Sequence, residues 1–408
     1  MNTKIRLTLM NFLQYAVWGA WLISLGAYLG NTLKFDGLQI GSFFATMGIA
    51  SLFMPAVMGI IADRWIPAQR LLGLCHLFAA GFITLAATRT DYNSLYTLVL
   101  LSVMFYMPTI ALSNSVAYNA LEKAGLDTVT HFPPIRVWGT VGFICAIWVV
   151  DLGKMGLSAT QLYFSATLGL ILGLYSFTLP NCPINRSGGG KSIVDLLGLR
   201  AFALFKQRKM AIFFIFSMLL GMSLQITNAF ADGYIKSFGD TGIHGAKYLG
   251  TFGVEHSTIL ISLSQISETL CILLIPFFLK RFGIKRVMLI AMFAWVLRFA
   301  LLGAGNPGPG VWMFILSMIV YGVAFDFFNI SGSLFVEKET SAAIRSSAQG
   351  VFMIMTNGLG ALIGSYLAGW VVNHYGWPLS WYLFAGFSLV VAIVFAVIFK
   401  YKHDPNRI

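Results

Sequence analysis

Across 408 residues the chain is 58% apolar and only 10% charged, with a net charge of +12 and a mean hydropathy of +0.79. These values exclude a soluble globular domain and point to a polytopic membrane protein. The surplus positive charge falls in short loops between apolar runs, which suits membrane topology and not a nucleic-acid groove.

Lys4 and Arg6 lead straight into the first apolar run with no cleavage signal, so the first helix is expected to be retained. Runs follow at about 7–30, 38–61, 71–88, 94–120, 134–151 and 160–180, then at 210–235, 257–279, 287–303, 311–335, 347–373 and 378–399. The expected fold is therefore an all-α polytopic membrane protein with twelve transmembrane helices in two six-helix pseudo-repeats. Its parts are an N-terminal bundle over 1–180, a cytoplasmic linker over 181–209 and a C-terminal bundle over 210–408. Within the linker, Ile193, Leu196, Leu197, Phe202, Leu204 and Phe205 alternate with Asp195, Arg200 and Lys206, a pattern that predicts a short interfacial amphipathic helix. Gly190-Lys191-Ser192 looks like the end of a phosphate-binding loop, but Asn185 stands where that motif needs glycine. Cys75, Cys145, Cys182 and Cys271 have neither disulfide nor zinc spacing, and no cofactor or metal is expected.

Orientation follows from the basic residues. Of the 27 Lys and Arg, only Lys34, Arg89, Lys154, Lys236 and Lys247 fall outside if the N-terminus is cytoplasmic. Arg298 lies within the ninth run, and the other 21 lie inside. Both termini are thus expected in the cytoplasm.

Polar residues inside spans must face other helices or a wet cavity. In the first half Gln14, Trp18 and Trp21 share a face, and Arg136, Thr140 and Phe143 share another at i, i+4, i+7. Arg136 also fits a topological anchor, tryptophans are common interfacial anchors, and His76 reads as a packing residue. The second half carries more. Gln225, Asn228 and Asp232 line one side of the seventh span, Gln265 and Glu268 lie one turn apart in the eighth, and Tyr321, Phe325, Asp326 and Asn329 mark the tenth. Asp326 falls near mid-membrane, where an ionised carboxylate costs at least about 2.5–3.5 kcal/mol. Single amides are more often glue between helices, but two mid-span acids resist that reading. Asp232 sits nearer an outer end and equally fits a solvated position. Arg298 either pairs with one of these acids or snorkels along its helix. Amides, carboxylates and phenyl rings suit a polar, partly aromatic solute such as a nucleoside, and leave a sugar, a drug or a peptide open.

Two further patterns identify a family. Gly59-Ile-Ile-Ala-Asp63-Arg64-Trp65 after the second run is echoed by Pro276-Phe-Phe-Leu-Lys280-Arg281-Phe282-Gly283 after the eighth, although Lys280 replaces the acid. The pair resembles the signature loop of the major facilitator superfamily. Phe132-Pro-Pro-Ile-Arg136-Val-Trp-Gly-Thr140, Leu224-Gln225-Ile-Thr-Asn228, Ser264-Gln265-Ile-Ser-Glu268-Thr and Phe325-Asp326-Phe-Phe-Asn329-Ile-Ser-Gly resemble the nucleoside:proton symporter family within it. The resemblance is clearest over 202–350 and departs in the loop 239–255 and the tail after Lys402. It implies proton-driven import of purine and pyrimidine nucleosides across a bacterial inner membrane, and a monomer embedded in the lipid bilayer is expected; with no Ser-His-Asp arrangement, HExxH or phosphate loop, neither an enzyme nor a nucleic-acid partner is expected. The residues it implies for substrate are Arg136, Thr140, Phe143, Gln225, Asn228, Gln265, Glu268, Tyr321, Phe325 and Asp326. Asp326 or Glu268 carries the coupling proton on this reading, and Asp63 and Arg64 serve as gating residues. A transporter of another neutral polar solute is the alternative.

Overall fold

The structure, a computed structural model, describes residues 2–184, 199–241, 246–341 and 344–401. Among them the regular elements are helical: α1 (Thr3–Gly19), α2 (Gly37–Arg64), α3 (Ala68–Ala87), α4 (Tyr92–Lys123), α5 (Thr128–Leu152), α6 (Thr160–Ser176), α7 (Arg208–Ser237), α8 (Ser257–Ala304), α9 (Val311–Glu339), α10 (Ser347–Tyr375) and α11 (Leu379–Ile398). Nine of these are long and apolar enough to cross a membrane. The difference from the twelve runs has local causes. Helices α1 and α6 have 17 residues each, about 26 Å of rise, and α8 holds two of the runs.

That α8 reverses direction follows from one contact. Ser264 and Arg298, 34 positions apart, would be separated by about 51 Å on a straight helix, yet the Arg298 guanidinium lies 3.4 Å from the Ser264 hydroxyl. The reversal occurs at Gly283, whose φ of 75° and ψ of 166° break the helix. A side chain is strained there, and glycine is not. The first run is also broken: α1 ends at Gly19, and the chain resumes as a short helix (Leu25–Ala27) and a π-helical turn (Tyr28–Thr32).

Two compact units emerge. Unit 1 comprises Met1–Phe35 and Thr46–Leu197; unit 2 comprises Asp36–Ala45 and Gly198–Ile408. In unit 1, α1 packs on α5 and α6, and α3 on α4 and α6. Ala16, Ala20, Ala146 and Val150 let α1 and α5 approach closely, while Leu7, Met10, Leu72, Val116 and Leu172 fill a larger core. In unit 2 the two arms of α8 pack against α9, α7 packs on α10, and α11 covers α8. Helix α10 contains a second π-helical stretch, Ile354–Gly360. There the carbonyls of Thr356 and Met218 approach Gly221 and Gly360, and Gly364 rests on the Met222 backbone.

The surface is inverted relative to a water-soluble protein. Leu273, Val397 and Leu152 are 74%, 70% and 65% exposed, whereas Asn11, Gln14, His76 and Thr109 are fully buried. The chain is a multi-pass membrane protein. Apolar side chains face outward because lipid accepts them, and polar groups turn inward where other helices supply partners.

The predicted amphipathic helix of the linker lies largely outside the described residues, as do Asn185, the glycine run and Lys402. Its described part, Leu199–Lys206, is a 3-10 helix. Residues three apart eclipse in that geometry, and Phe202 and Phe205 accordingly stack, with centroids 6.0 Å apart. Phe205 continues onto Phe214 of α7 at 5.2 Å.

Candidate functional site

Tyr321, Asp326 and Glu268 come together where the first arm of α8 crosses α9. The crossing is close because residue 322 is glycine: a Cβ there would meet the Ser267 carbonyl oxygen at 2.6 Å. This approach sets Tyr321, Phe325 and Asp326 of α9 beside Gln265 and Glu268 on the first arm of α8. Tyr321 is buried, stacks on Phe325 at 5.6 Å with 5° between planes, and meets Trp295 edge-on at 6.0 Å. Asp326 is 5% exposed, and its Oδ2 is buried without a hydrogen-bond partner. Glu268 lies within electrostatic reach of Asp326, and both carboxylates lie within reach of the Tyr321 hydroxyl. Gln225 of α7 and Gln265 each bury a side-chain oxygen that receives no donor. Three acceptors therefore wait for donors inside one unit. Leaving such a group unsatisfied costs about 1–3 kcal/mol, a debt that a solute rich in N–H and O–H groups removes.

A small cleft opens beside Phe325. It is lined by Phe325, Asn329, Trp295, Leu224, Thr356 and Asn357, among others. Asn329 lines it while donating to the carbonyl of Phe325 at 3.0 Å. Phe327 and Phe328 are buried packing residues, Phe327 against Phe278 at 5.0 Å and Phe328 against Phe352 at 6.3 Å. Asn228 is half-buried on α7. Asp232 is not solvated: it is 1% exposed, pairs with Lys236 at 2.8 Å and accepts from Ser257 at 2.5 Å, so it ties α7 to the start of α8.

In unit 1, Phe143 is buried against Trp18 at 6.3 Å, edge to face. Trp18 also packs on Tyr106 at 5.8 Å and buries its indole N–H without an acceptor. Thr140 is half-buried one turn before Phe143, and the Arg136 guanidinium lies over the Tyr15 ring at 4.0 Å. Below them, the Gln14 amide donates to Thr109 at 2.7 Å and accepts from His76 at 2.8 Å, while the Tyr106 hydroxyl donates to the Gln14 carbonyl at 2.8 Å. Asp63 is exposed in the last turn of α2. Among the described residues no ion pair involves it or Arg64.

Sequence reading left two of these residues unassigned. Trp18 passes for an interfacial anchor until its unpartnered N–H is located. Arg298, for which sequence favours snorkelling slightly over pairing, is 2% exposed and cannot reach an interface. A lone cation in a 17-residue apolar run was the only available signal.

Buried acceptors and a carboxylate pair in a multi-pass helical protein describe a transporter for a polar solute, and comparison with known proteins supplies the class. A profile for the nucleoside H+ symporter family matches residues 1–404. The chain belongs to the nucleoside H+ symporter family. Members of this family are transporters, not enzymes. Among relatives, nucleoside permease NupG of Escherichia coli strain K12 is 50% identical over 410 residues, covering 99% of this chain and 97% of that protein. The xanthosine permease of the same organism is 49% identical over 415 residues, covering 100% and 98%. A crystal structure of the nucleoside transporter NupG superposes with a TM-score of 0.91 at 51% identity, covering 98% of this chain and all of that one. An auto-inhibited POT family peptide transporter shares the fold at 13% identity, with a TM-score of 0.72 and coverage of 100% of this chain and 98% of that one. Family membership thus accounts for both the all-helical architecture and the long motifs around Asn228, Glu268 and Asp326.

Proposed function

We propose that the protein imports purine and pyrimidine nucleosides together with protons across a bacterial inner membrane, by alternating access and with both termini cytoplasmic. The observation that carries this reading is the Asp326–Glu268 carboxylate pair at mid-span, with the Asp326 Oδ2 unpartnered, as are the side-chain oxygens of Gln225 and Gln265 in the same unit. A nucleoside offers matching donors on its base edge and ribose, and a flat face for the aromatic rings. The residues that touch it are Arg136, Thr140, Phe143, Gln225, Asn228, Gln265, Glu268, Tyr321, Phe325 and Asp326. Protonation at Asp326, in exchange with Glu268, removes a buried charge and lets the loaded cavity close. The moving bodies are 1–180 and 210–408, joined by 181–209, with Asp63 and Arg64 acting at the cytoplasmic gate. The transporter works as a monomer in the lipid bilayer.

Uptake in proteoliposomes under an imposed proton gradient tests this. Wild type is expected to accumulate labelled uridine and adenosine, to lose accumulation with an uncoupler, and to ignore unlabelled lactose as competitor. Asp326→Asn is expected to keep nucleoside binding and lose gradient-driven accumulation. Full accumulation by that variant rules out Asp326 as the coupling site.

A further inference from the structure

Asn329, Thr356 and Asn357 line the cleft beside Phe325, and the proposed cycle gives none of them a role. Their hydrogen bonds set them apart from one another. Asn329 donates to the Phe325 carbonyl at 3.0 Å and the Thr356 hydroxyl to the Phe352 carbonyl at 3.0 Å, so both are tied back to their own helices. Asn357 is not. Among the described residues its amide meets no oxygen or nitrogen partner, and its one hydrogen-bond contact is the Met353 sulfur at 3.8 Å, a weak acceptor. The side chain is half-buried, so the cleft wall carries an amide donor and an amide acceptor side by side.

Backbone contacts hold Asn357 in that place. Residue 221 of α7 is glycine, and a Cβ there would overlap the Thr356 carbonyl, so α7 and α10 touch backbone to backbone one residue before Asn357. A second such contact lies three residues beyond it, where a Cβ on Gly360 would meet the Met218 carbonyl oxygen at 2.6 Å. The turn between them is the π-helical stretch Ile354–Gly360, a conformation that recurs at functional sites. An amide fixed from both sides has little freedom to lose on binding. The rest of the cleft is rings and aliphatic groups, Phe325 and Trp295 with Leu220 and Leu224, and no carboxylate is among the described residues that line it.

Rings and one amide without a carboxylate suit the edge of a base better than a ribose, whose hydroxyls are donors that carboxylates accept. Phe325 directly precedes Asp326 in α9, so a base lying over Phe325 with its sugar toward Asp326 turns its far edge to the cleft. That edge is the pyrimidine C4 or purine C6 position. Keto bases present there an acceptor beside a ring N–H, and amino bases a donor beside a bare ring nitrogen. A carboxamide matches both patterns, because turning it over exchanges its donor and its acceptor. We infer that Asn357 is a specificity-determining residue that pairs in two-point fashion with the edge of the base farthest from the ribose, and so admits keto and amino nucleosides alike. This rests on the proposed function and adds to it a residue that reads the base.

Isothermal titration of the full-length protein compares uridine and cytidine with pyrimidin-2-one riboside, which keeps the ring and the ribose but carries hydrogen in place of the 4-substituent. Adenosine, inosine and purine riboside form the matching purine set. In wild type each unsubstituted riboside is expected to bind about five- to thirty-fold more weakly than its keto and amino relatives. In Asn357→Ala the substituted nucleosides are expected to fall to the level of the unsubstituted ribosides, whose own affinity is unchanged. That unchanged affinity also shows that the variant is folded. An Asn357→Ala protein that keeps the wild-type discrimination, or that weakens every ligand in parallel, overturns the inference. A wild type that binds substituted and unsubstituted ribosides equally overturns it without any variant. A wild type that binds no nucleoside at all instead refutes the proposed function on which the inference rests.

Discussion

Gln225 and Gln265 are where the chemistry of the site is most directly accessible to mutation. Each buries an oxygen that receives no donor from the protein, so each has one hydrogen bond to offer a solute. Gln225→Leu or Gln265→Leu removes that bond and leaves the solute's donor unpaired, a loss of about 1–2 kcal/mol. Uridine binding by isothermal titration is expected to weaken roughly five- to thirty-fold in each variant, with the protein still folded. The residues that sequence makes legible and those it hides differ in a simple way. Asp326 is visible because a short acid cannot leave the depth at which its helix places it. Arg298 is not, because a long cation has the reach to leave, and only the side chains that cover it from α9 and the first arm of α8 decide that it stays. Trp18 is hidden for a related reason: an indole N–H is remarkable only once Tyr106 and Phe143 are found around the ring without an acceptor among them.

Helix ends show how local signals and tertiary packing divide the work. Asp91 caps α4, its side chain accepting from the Ser94 N–H at 2.9 Å. That bond to the backbone holds the exposed carboxyl below its ordinary value of 3.8. A carboxyl depressed in the folded state stabilises at pH values above its unfolded value and loses that contribution as pH falls through the folded one. Hydrogen exchange in the first turn of α4, corrected for intrinsic rate, is expected to quicken in wild type only below about pH 4. In Asp91→Ala it is expected to be fast throughout. Such caps are readable from sequence, and so were the two apolar runs inside α8. The break after Gly19 was not, because Ala20–Ser24 is as apolar as the helix before it. The π-helical stretch of α10 was equally invisible, since its cause is the fit of Thr356 and Gly360 against α7.

At the scale of the whole molecule, charge and hydropathy were informative because the bilayer imposes them independently of packing. The uneven distribution of Lys and Arg predicts both termini inside. Epitope tags at either end are expected to resist protease added to intact spheroplasts and to be cut after permeabilisation; a tag cut in intact cells would reverse the assignment. The exposed leucines and valines that sequence marks as lipid-facing span both units. Which polar faces share a site was less legible, since composition gives the depth of a residue but not its azimuth around the helix.

That distinction gives the π-helical stretch Ile354–Gly360 a consequence for how this gene can change length. A π turn accommodates one residue more than the α turn it replaces, so the segment is a stored insertion. Deleting one residue there would leave a continuous helix of sufficient length to cross the membrane. It would also leave the residues beyond it in their present azimuth, because the α turn that forms takes the place of the π turn, so Gly364 keeps its contact with the Met222 backbone. The lining residues Thr356 and Asn357 sit within the stretch itself. A frame-preserving loss of a single codon, which in an ordinary α turn rotates everything beyond it by about 100°, would here be absorbed locally, and its effect would fall on the wall of the cleft that Thr356 and Asn357 form.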